Sequence, residues 1–223
     1  AGLHLKMPRT TLYADSIWCS YNAGDLKNSW VVKGHVDQTS VTPGDFAALL
    51  PSLRTFTSPI SVDADFIGDR SRVNLKALEC HTKEREFMLV ADGALDFSAD
   101  GNYYRVNLDT ATINGDGWKM LEQQLPEVYA MIPQELVRMD CINVSGDALL
   151  SASETRLNLS AHCGAGTLTA VLDKNSEGKY IARLSGKFQE LDRVIPQTGV
   201  KAALVELSAE GNRLDKNPLS KEN

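Results

Sequence analysis

Hydrophobic and polar residues alternate along most of the chain. Alternate side chains of a β-strand point to opposite faces of its sheet, so a period of two predicts strands with one apolar and one polar face. Asp, Ser and Thr fill many of the intervening positions, which is typical of antiparallel sheets with one solvated face. The pattern is clearest at residues 60–66, 73–77, 104–108, 157–161, 168–172 and 180–184.

Turn-forming residues separate these segments at short intervals. Gly, Asn, Asp and Ser cluster at residues 22–25, 68–71, 99–102, 164–166 and 174–178. Such clusters favour tight turns, so consecutive strands are expected to pair as hairpins. The predicted fold is mainly β: an extended, curled antiparallel sheet of roughly ten to twelve strands, with about three short helices packed on it.

Three segments replace the alternation with helical spacing, at residues 42–50, 116–125 and 188–195. In the first, Thr42 is a capping residue and Pro43 occupies the first helical position. In the second, Trp118, Leu121 and Leu125 share one helical face. Each segment ends at a proline, which disfavours helical geometry in the residue before it.

These prolines indicate a repeated unit. Pro51, Pro126 and Pro196 lie 75 and 70 residues apart, and a strand followed by a short helix precedes each of them. We therefore predict one repetitive β-rich domain over residues 1–211, with units ending near the three prolines, and a polar tail or linker over residues 212–223. Because the first residues already alternate as in a strand, the chain is expected to be an internal fragment of a longer protein.

Composition narrows the classes of function. The chain has 223 residues and a formal net charge of -6, and its basic residues are scattered along the sequence. Nucleic-acid binding requires clustered positive charge, so no nucleic-acid partner is expected. The sequence also has no apolar run of about 18 residues that could span a bilayer.

The four cysteines form no recognisable motif. Cys19, Cys80, Cys141 and Cys163 lie far apart, and four cysteines allow three complete pairings between which the sequence does not choose. We expect most of them to be small, buried hydrophobic residues of strands.

The sequence offers no recognisable metal or cofactor site. Two histidines adjoin cysteines, in Cys80-His81 and His162-Cys163. Neighbours in a strand point to opposite faces, so each pair offers one ligand, and neither spacing matches a structural zinc site. No metal and no cofactor are predicted. Aromatic residues in strands and helix faces are usually core, which is the expectation for Trp18, Trp30, Trp118, Tyr103, Tyr104 and Tyr129.

No catalytic residue is predicted either. The serines lie in strands or turns without a strained nucleophile motif, and no phosphate-binding loop is present. Asp63 and Asp65 share one strand face, where they are expected to be solvated. An envelope enzyme acting on glycan or lipid remains a minor alternative, and it requires a pocket that unites at least two of these side chains: Asp63, Asp65, Glu79, His81 and His162.

The order of strands and linkers resembles a known family. Residues 41–51 run Val-Thr-Pro-Gly-Asp-Phe-Ala-Ala-Leu-Leu-Pro after an alternating strand, and residues 121–136 lead similarly into the strand at 138–146. The hairpin at 164–168 and the segment 180–191 continue the order. Over about residues 10–211, this order is similar to that of TamB-like proteins of the AsmA-like superfamily.

The resemblance implies that the chain belongs to a long parent protein of the periplasm or cell envelope of a diderm bacterium. That parent protein would be anchored in the inner membrane. Its sheet would form an open trough that passes lipid between membranes or supports outer-membrane biogenesis, without catalytic residues. The implied partners are flanking repeats of the parent chain, phospholipid acyl chains and outer-membrane assembly factors. Its apolar sheet face would include Ile60, Val62, Ala64, Phe66, Tyr104, Val106, Leu108, Leu157 and Leu159.

Two alternatives concern how that face is used. In one alternative, the helices and a second sheet close the apolar face into an ordinary dry core. In the other, the chain is a structural or interaction module that acts through its sheet edges without conducting lipid.

Overall fold

The computed structural model describes residues 3–21, 24, 29–48, 51–97 and 103–212. These residues form one sheet of twelve antiparallel strands, in which spatial order follows sequence order. The predicted mainly β, antiparallel fold is confirmed. The strands are β1 (Leu3–Lys6), β2 (Thr11–Ser20), β3 (Val31–Val41), β4 (Ile60–Asp69), β5 (Arg72–Thr82), β6 (Phe87–Asp96), β7 (Tyr103–Ile113), β8 (Ile142–Ser151), β9 (Thr155–Cys163), β10 (Gly166–Lys174), β11 (Lys179–Phe188) and β12 (Ala203–Asn212).

Helical connections follow β3, β7 and β11, so they recur every four strands. Because β3, β7 and β11 run in the same direction, all three connections lie at one end of the strands, which we call the helical rim. Its α-helices are α1 (Gly115–Gln124), α2 (Pro126–Tyr129), α3 (Gln134–Val137) and α4 (Leu191–Val194), with 3₁₀ turns at Pro43–Phe46, Pro51–Leu53 and Pro196–Thr198.

Two of the predicted helices are shorter than expected. The segment predicted at 42–50 is helical only over Pro43–Phe46, and residues 49 and 50 lie outside the described part. The segment predicted to begin at Phe188 begins at Leu191, because Phe188 still pairs with Gly166 and Ala203 in the sheet. The predicted tail is likewise outside the described residues from 213 onward, as are most of the turn residues predicted at 22–25 and 99–102.

The helix α1 is fixed at its start. The Asn114 side chain accepts hydrogen bonds from the backbone N–H groups of Asp116 and Gly117, at 3.1 and 3.0 Å, which caps the helix. A side chain at Gly117 would collide with the carbonyl oxygen of Glu86, so glycine permits this close approach to the residue that precedes β6. The buried Trp118 then packs onto the sheet.

The strand register separates the sheet into two faces. Residues directly opposite each other in neighbouring strands share a face. In β9 and β10, for example, Leu157 lies opposite Leu172 and Leu159 lies opposite Ala170. The same register, followed from β2 to β12, places hydrophobic residues on one face of every strand, and we call this the apolar face.

Bulges cross the middle of the sheet. Register shifts interrupt each pairing from β2–β3 to β7–β8. A bulge bends its strand and increases the local twist. Ala14, Ala64 and Ala91 lie beside these shifts and are buried, at 1%, 5% and 5% exposure. Small side chains therefore line a crease across the apolar face.

The predicted alternation of Val73, Leu75 and Ala77 is wrong at Ala77, because β5 contains a bulge there. Leu75 lies opposite Gly93 and Leu78 lies opposite Ala91, so Leu78 replaces Ala77 on the apolar face. Ala77 has a positive φ of 48°, and its backbone N–H donates to the Asp92 carboxylate at 2.8 Å. The carboxylate thus satisfies a donor that the bulge removes from the ladder.

The main core lies at the helical rim. There Trp118, Met139, Leu191 and Val194 from the connections pack against sheet residues such as Ile142 and Phe188. In the described part of the chain, β1 and β12 each pair on one side only, so the sheet is open at both edges. None of the described helices is both long and apolar enough to cross a membrane.

Candidate functional site: the apolar face of the sheet

All nine residues predicted for the apolar face lie on that face. On β4, Phe66 lies opposite Gly34 and Leu75. On β7, Val106 lies opposite Gly93 and Ala148. The pairing continues through β8 to β9 and joins the nine into one surface: Ile60, Val62, Ala64 and Phe66 on β4, Tyr104, Val106 and Leu108 on β7, and Leu157 and Leu159 on β9.

This surface is covered unevenly. Near the helical rim, Ile142 and Phe188 are buried under the helices, and the crease residue Ala64 is buried as well. At the opposite end of the strands, Leu150 is 47% exposed, and on the edge strand Leu207 is 60% exposed. A depression of about 310 Å³ in this region is walled by Leu157, Leu172, Leu184 and Leu207. Within the described residues, the helices cover one rim of the face, and leucines farther from that rim are the more exposed part of it.

Sequence reasoning missed much of this face. Ala91, Leu78 and Ala111 belong to it, but the bulges beside them interrupt the alternation on which the prediction relied. Leu184 and Leu207 also belong to it, on β11 and β12. Their alternation was visible in the sequence, so the signal that would have found them is the same period of two.

An apolar cavity of about 230 Å³ lies beneath α1 at the helical rim. The Trp118 indole N–H donates to the backbone carbonyl of Asp140 at 2.8 Å, which holds the ring over the sheet. The cavity is lined by Phe87, Ala111, Thr112, Ile113, Trp118, Leu136, Met139, Ile142, Val144, Ala161, Cys163, Gly166, Thr167, Leu168 and Phe188.

The polar face carries a cluster around His35. Its Nδ1 lies 3.0 Å from a carboxylate oxygen of Asp65, and potential ligand atoms of His35, Asp37 and Asp63 lie within 4.8 Å of one another. Partial desolvation lowers the pKa of His35, but the hydrogen bond to Asp65 and the charges of nearby aspartates outweigh it and leave this pKa raised. The arrangement favours a protonated imidazole among carboxylates.

The residues named above for the enzyme alternative also lie on the polar face. Asp63 lies opposite Glu79, and His81 lies opposite Ser61. His162 lies on β9, opposite Asn143 of β8 and Thr167 of β10. Asp65 borders a depression that also includes His35, Trp18 and Lys33.

The expectations for cysteines and for aromatic residues are wrong in part. The cysteines are free thiols, but Cys19 and Cys141 are exposed rather than buried, and Cys141 precedes β8 instead of lying in it. Burial, followed by the charge of Glu79, raises the pKa of the Cys80 thiol. Trp18 is 51% exposed because it lies on the polar face, where the Lys33 ammonium sits 5.3 Å from its ring centre.

Comparison with protein families, with curated proteins and with solved structures finds no match to this chain.

Proposed function

We propose that this chain is a non-enzymatic, lipid-handling module of the TamB type, in which the apolar face holds acyl chains. The observation that carries the proposal is the continuity of that face over the eleven strands from β2 to β12, where helices cover one rim in the described part of the chain. At the usual strand spacing, eleven strands provide a path of roughly 50 Å. Such a path needs no specific ligand-binding residue.

Elementary energetics support hydrocarbon as the occupant. Burial of a methylene group contributes about 0.8 kcal/mol, so an acyl chain gains affinity along its whole length from apolar contacts alone. The apolar faces of β9, β10 and β11 offer such contacts through leucine and alanine side chains. The polar face, with its aspartates and lysines, would keep the outside of the sheet solvated.

The resemblance to TamB-like proteins adds a cellular setting to this proposal. The chain would act in the periplasm or cell envelope as part of a longer, membrane-anchored protein involved in lipid transport and outer-membrane biogenesis. Both open edges fit this setting, because flanking repeats would extend the sheet by pairing with β1 and β12.

Photo-crosslinking from one strand tests the proposal. A photoreactive residue replaces Leu159 on the apolar face or, as the matched control, its exposed neighbour Asn158 on the polar face. The protein is then incubated with vesicles of phosphatidylethanolamine and phosphatidylglycerol. We expect phospholipid adducts from position 159 and few from position 158.

Equal labelling from both positions, or none from position 159, would overturn the proposal. A module that acts only through its edges gives no lipid adduct from the apolar face. The same experiment therefore separates the lipid-handling function from the edge-binding alternative.

A further inference from the structure

The cavity beneath α1 adjoins the apolar face and shares residues with it. Its floor comes from two successive rows of that face. The outer row, at the rim, includes Ile113 opposite Ile142. The inner row, one step toward the middle of the strands, contains Ala111, Val144, Ala161 and Leu168, each opposite the next across four strands. The floor of the cavity therefore continues directly into the accessible part of the face.

The cover of this cavity is held in place independently of any occupant. Trp118 is fixed by its hydrogen bond to Asp140, and α1 is fixed by the Asn114 cap and by the close approach of Gly117 to Glu86. Leu136 and Met139 complete the cover. Because the cover cannot settle onto the sheet without breaking these contacts, the space is preformed.

The lining selects hydrocarbon over water. A buried water needs two to four polar partners. The lining is almost wholly carbon, and the hydroxyl of Thr112 already accepts a hydrogen bond from Asn143 at 2.9 Å. An apolar cavity of about 150 Å³ stays dry and binds six-carbon benzene, so by proportion about nine carbons fit the present space.

We propose that this cavity is a stationary binding site for the methyl end of one acyl chain, with room for about nine carbons. The inference rests on the proposed lipid-handling function for the source of the chain and adds to it a fixed position. A chain seated here lies under Trp118, while the part nearer its headgroup extends along the open face.

Fluorescence of Trp118 tests the site. Trp18 and Trp30 are replaced by phenylalanine so that Trp118 alone reports, and the protein is titrated with palmitic acid brominated at the methyl end or beside the carboxyl group. Bromine quenches an indole that it contacts. We expect several-fold stronger quenching by the methyl-end isomer.

A filled variant provides the second arm. Ala111→Leu with Ala161→Leu adds six carbons to a space for about nine, so methyl-end quenching should be lost. Filling an empty apolar space should also preserve or raise the melting temperature. The matched control places the same change elsewhere, as Ala94→Leu on the polar face with Ala152→Leu in an exposed turn, and should leave the quenching intact.

The outcomes separate this site from the general function. Equal quenching by both isomers, or quenching that survives the filled variant, would show that chains bind the face but not the cavity. If neither isomer quenches Trp118 while position 159 still crosslinks phospholipid, the proposal for the cavity alone is overturned. Failure of the crosslinking removes the lipid-handling proposal itself.

Discussion

Replacement of Trp118 measures how firmly the helical rim is packed on the sheet. Trp118 is 8% exposed and belongs to the same core cluster as Met139, Ile142 and Phe188. Trp118→Ala removes the ring and enlarges an existing cavity, so we expect a loss of about 3–5 kcal/mol in the free energy of unfolding. Trp118→Phe keeps most of the apolar area but loses the bond to Asp140, which contributes about 1 kcal/mol.

The bond to Asp140 also supports a turn with an uncommon backbone conformation. Asp140 has a positive φ of 65°, which is unfavourable for a residue other than glycine. The indole N–H holds the Asp140 carbonyl in this turn, immediately before β8. We therefore expect Trp118→Phe to cost about 1–2 kcal/mol in total.

Urea unfolding followed by far-ultraviolet circular dichroism is a suitable assay, since it does not depend on the fluorescence of the residue replaced. The control is Trp18→Ala on the polar face. Trp18 is 51% exposed and the Lys33 ammonium lies 5.3 Å from its ring centre, so at most about 1 kcal/mol should be lost. If Trp118→Ala costs no more than Trp18→Ala, the helices do not pack on the sheet as described.

Two further predictions concern single residues of the sheet. The aspartates raise the pKa of His35, so its protonated form stabilises the folded state, and this contribution is present below the ordinary histidine pKa and lost as pH rises through the raised value. The melting-temperature advantage of the wild type over His35→Asn should therefore be constant below about pH 6.5 and shrink as the pH rises above that value. Since His35 is partly exposed, its contribution to the free energy of unfolding should stay below about 1 kcal/mol. An advantage that grows with pH would contradict this reasoning. Gly146→Ala should lower the free energy of unfolding in urea by more than about 1 kcal/mol, since φ is 141° and the new methyl group would collide with the Asn158 carbonyl. Gly164→Ala is the control and should be nearly neutral, because its methyl group would meet only Arg193, at 3.5 Å. Equal losses in the two variants would refute this explanation.

The sequence predicted the fold class because the alternation is a direct record of which face each side chain occupies. Leu157, Leu159 and their partners in β10 show this alternation without interruption. The bulges are a different case, since an extra residue such as Ala77 looks in sequence like any other position. Only the pairing of β5 with β6 reveals which neighbour has moved to the other face.

The cavity under α1 could not be predicted for a related reason. Its lining residues come from six strands and the connection between β7 and β8, and most of them are ordinary core residues taken singly. The His35 cluster was hidden in the same way. His35 and Asp63 are 28 positions apart in sequence, and they become neighbours only through the pairing of β3 with β4.

The recurrence of the helical connections after every fourth strand has a consequence for how such a sheet could lengthen. In an antiparallel sheet, an even number of strands returns the chain to the end from which it started, so a duplicated four-strand unit places its helices beside those of the unit before it. A unit with an odd number of strands would place successive helices at alternate ends. Addition of four-strand units therefore keeps one long side of the sheet covered by helices and the other side accessible, however many units are joined.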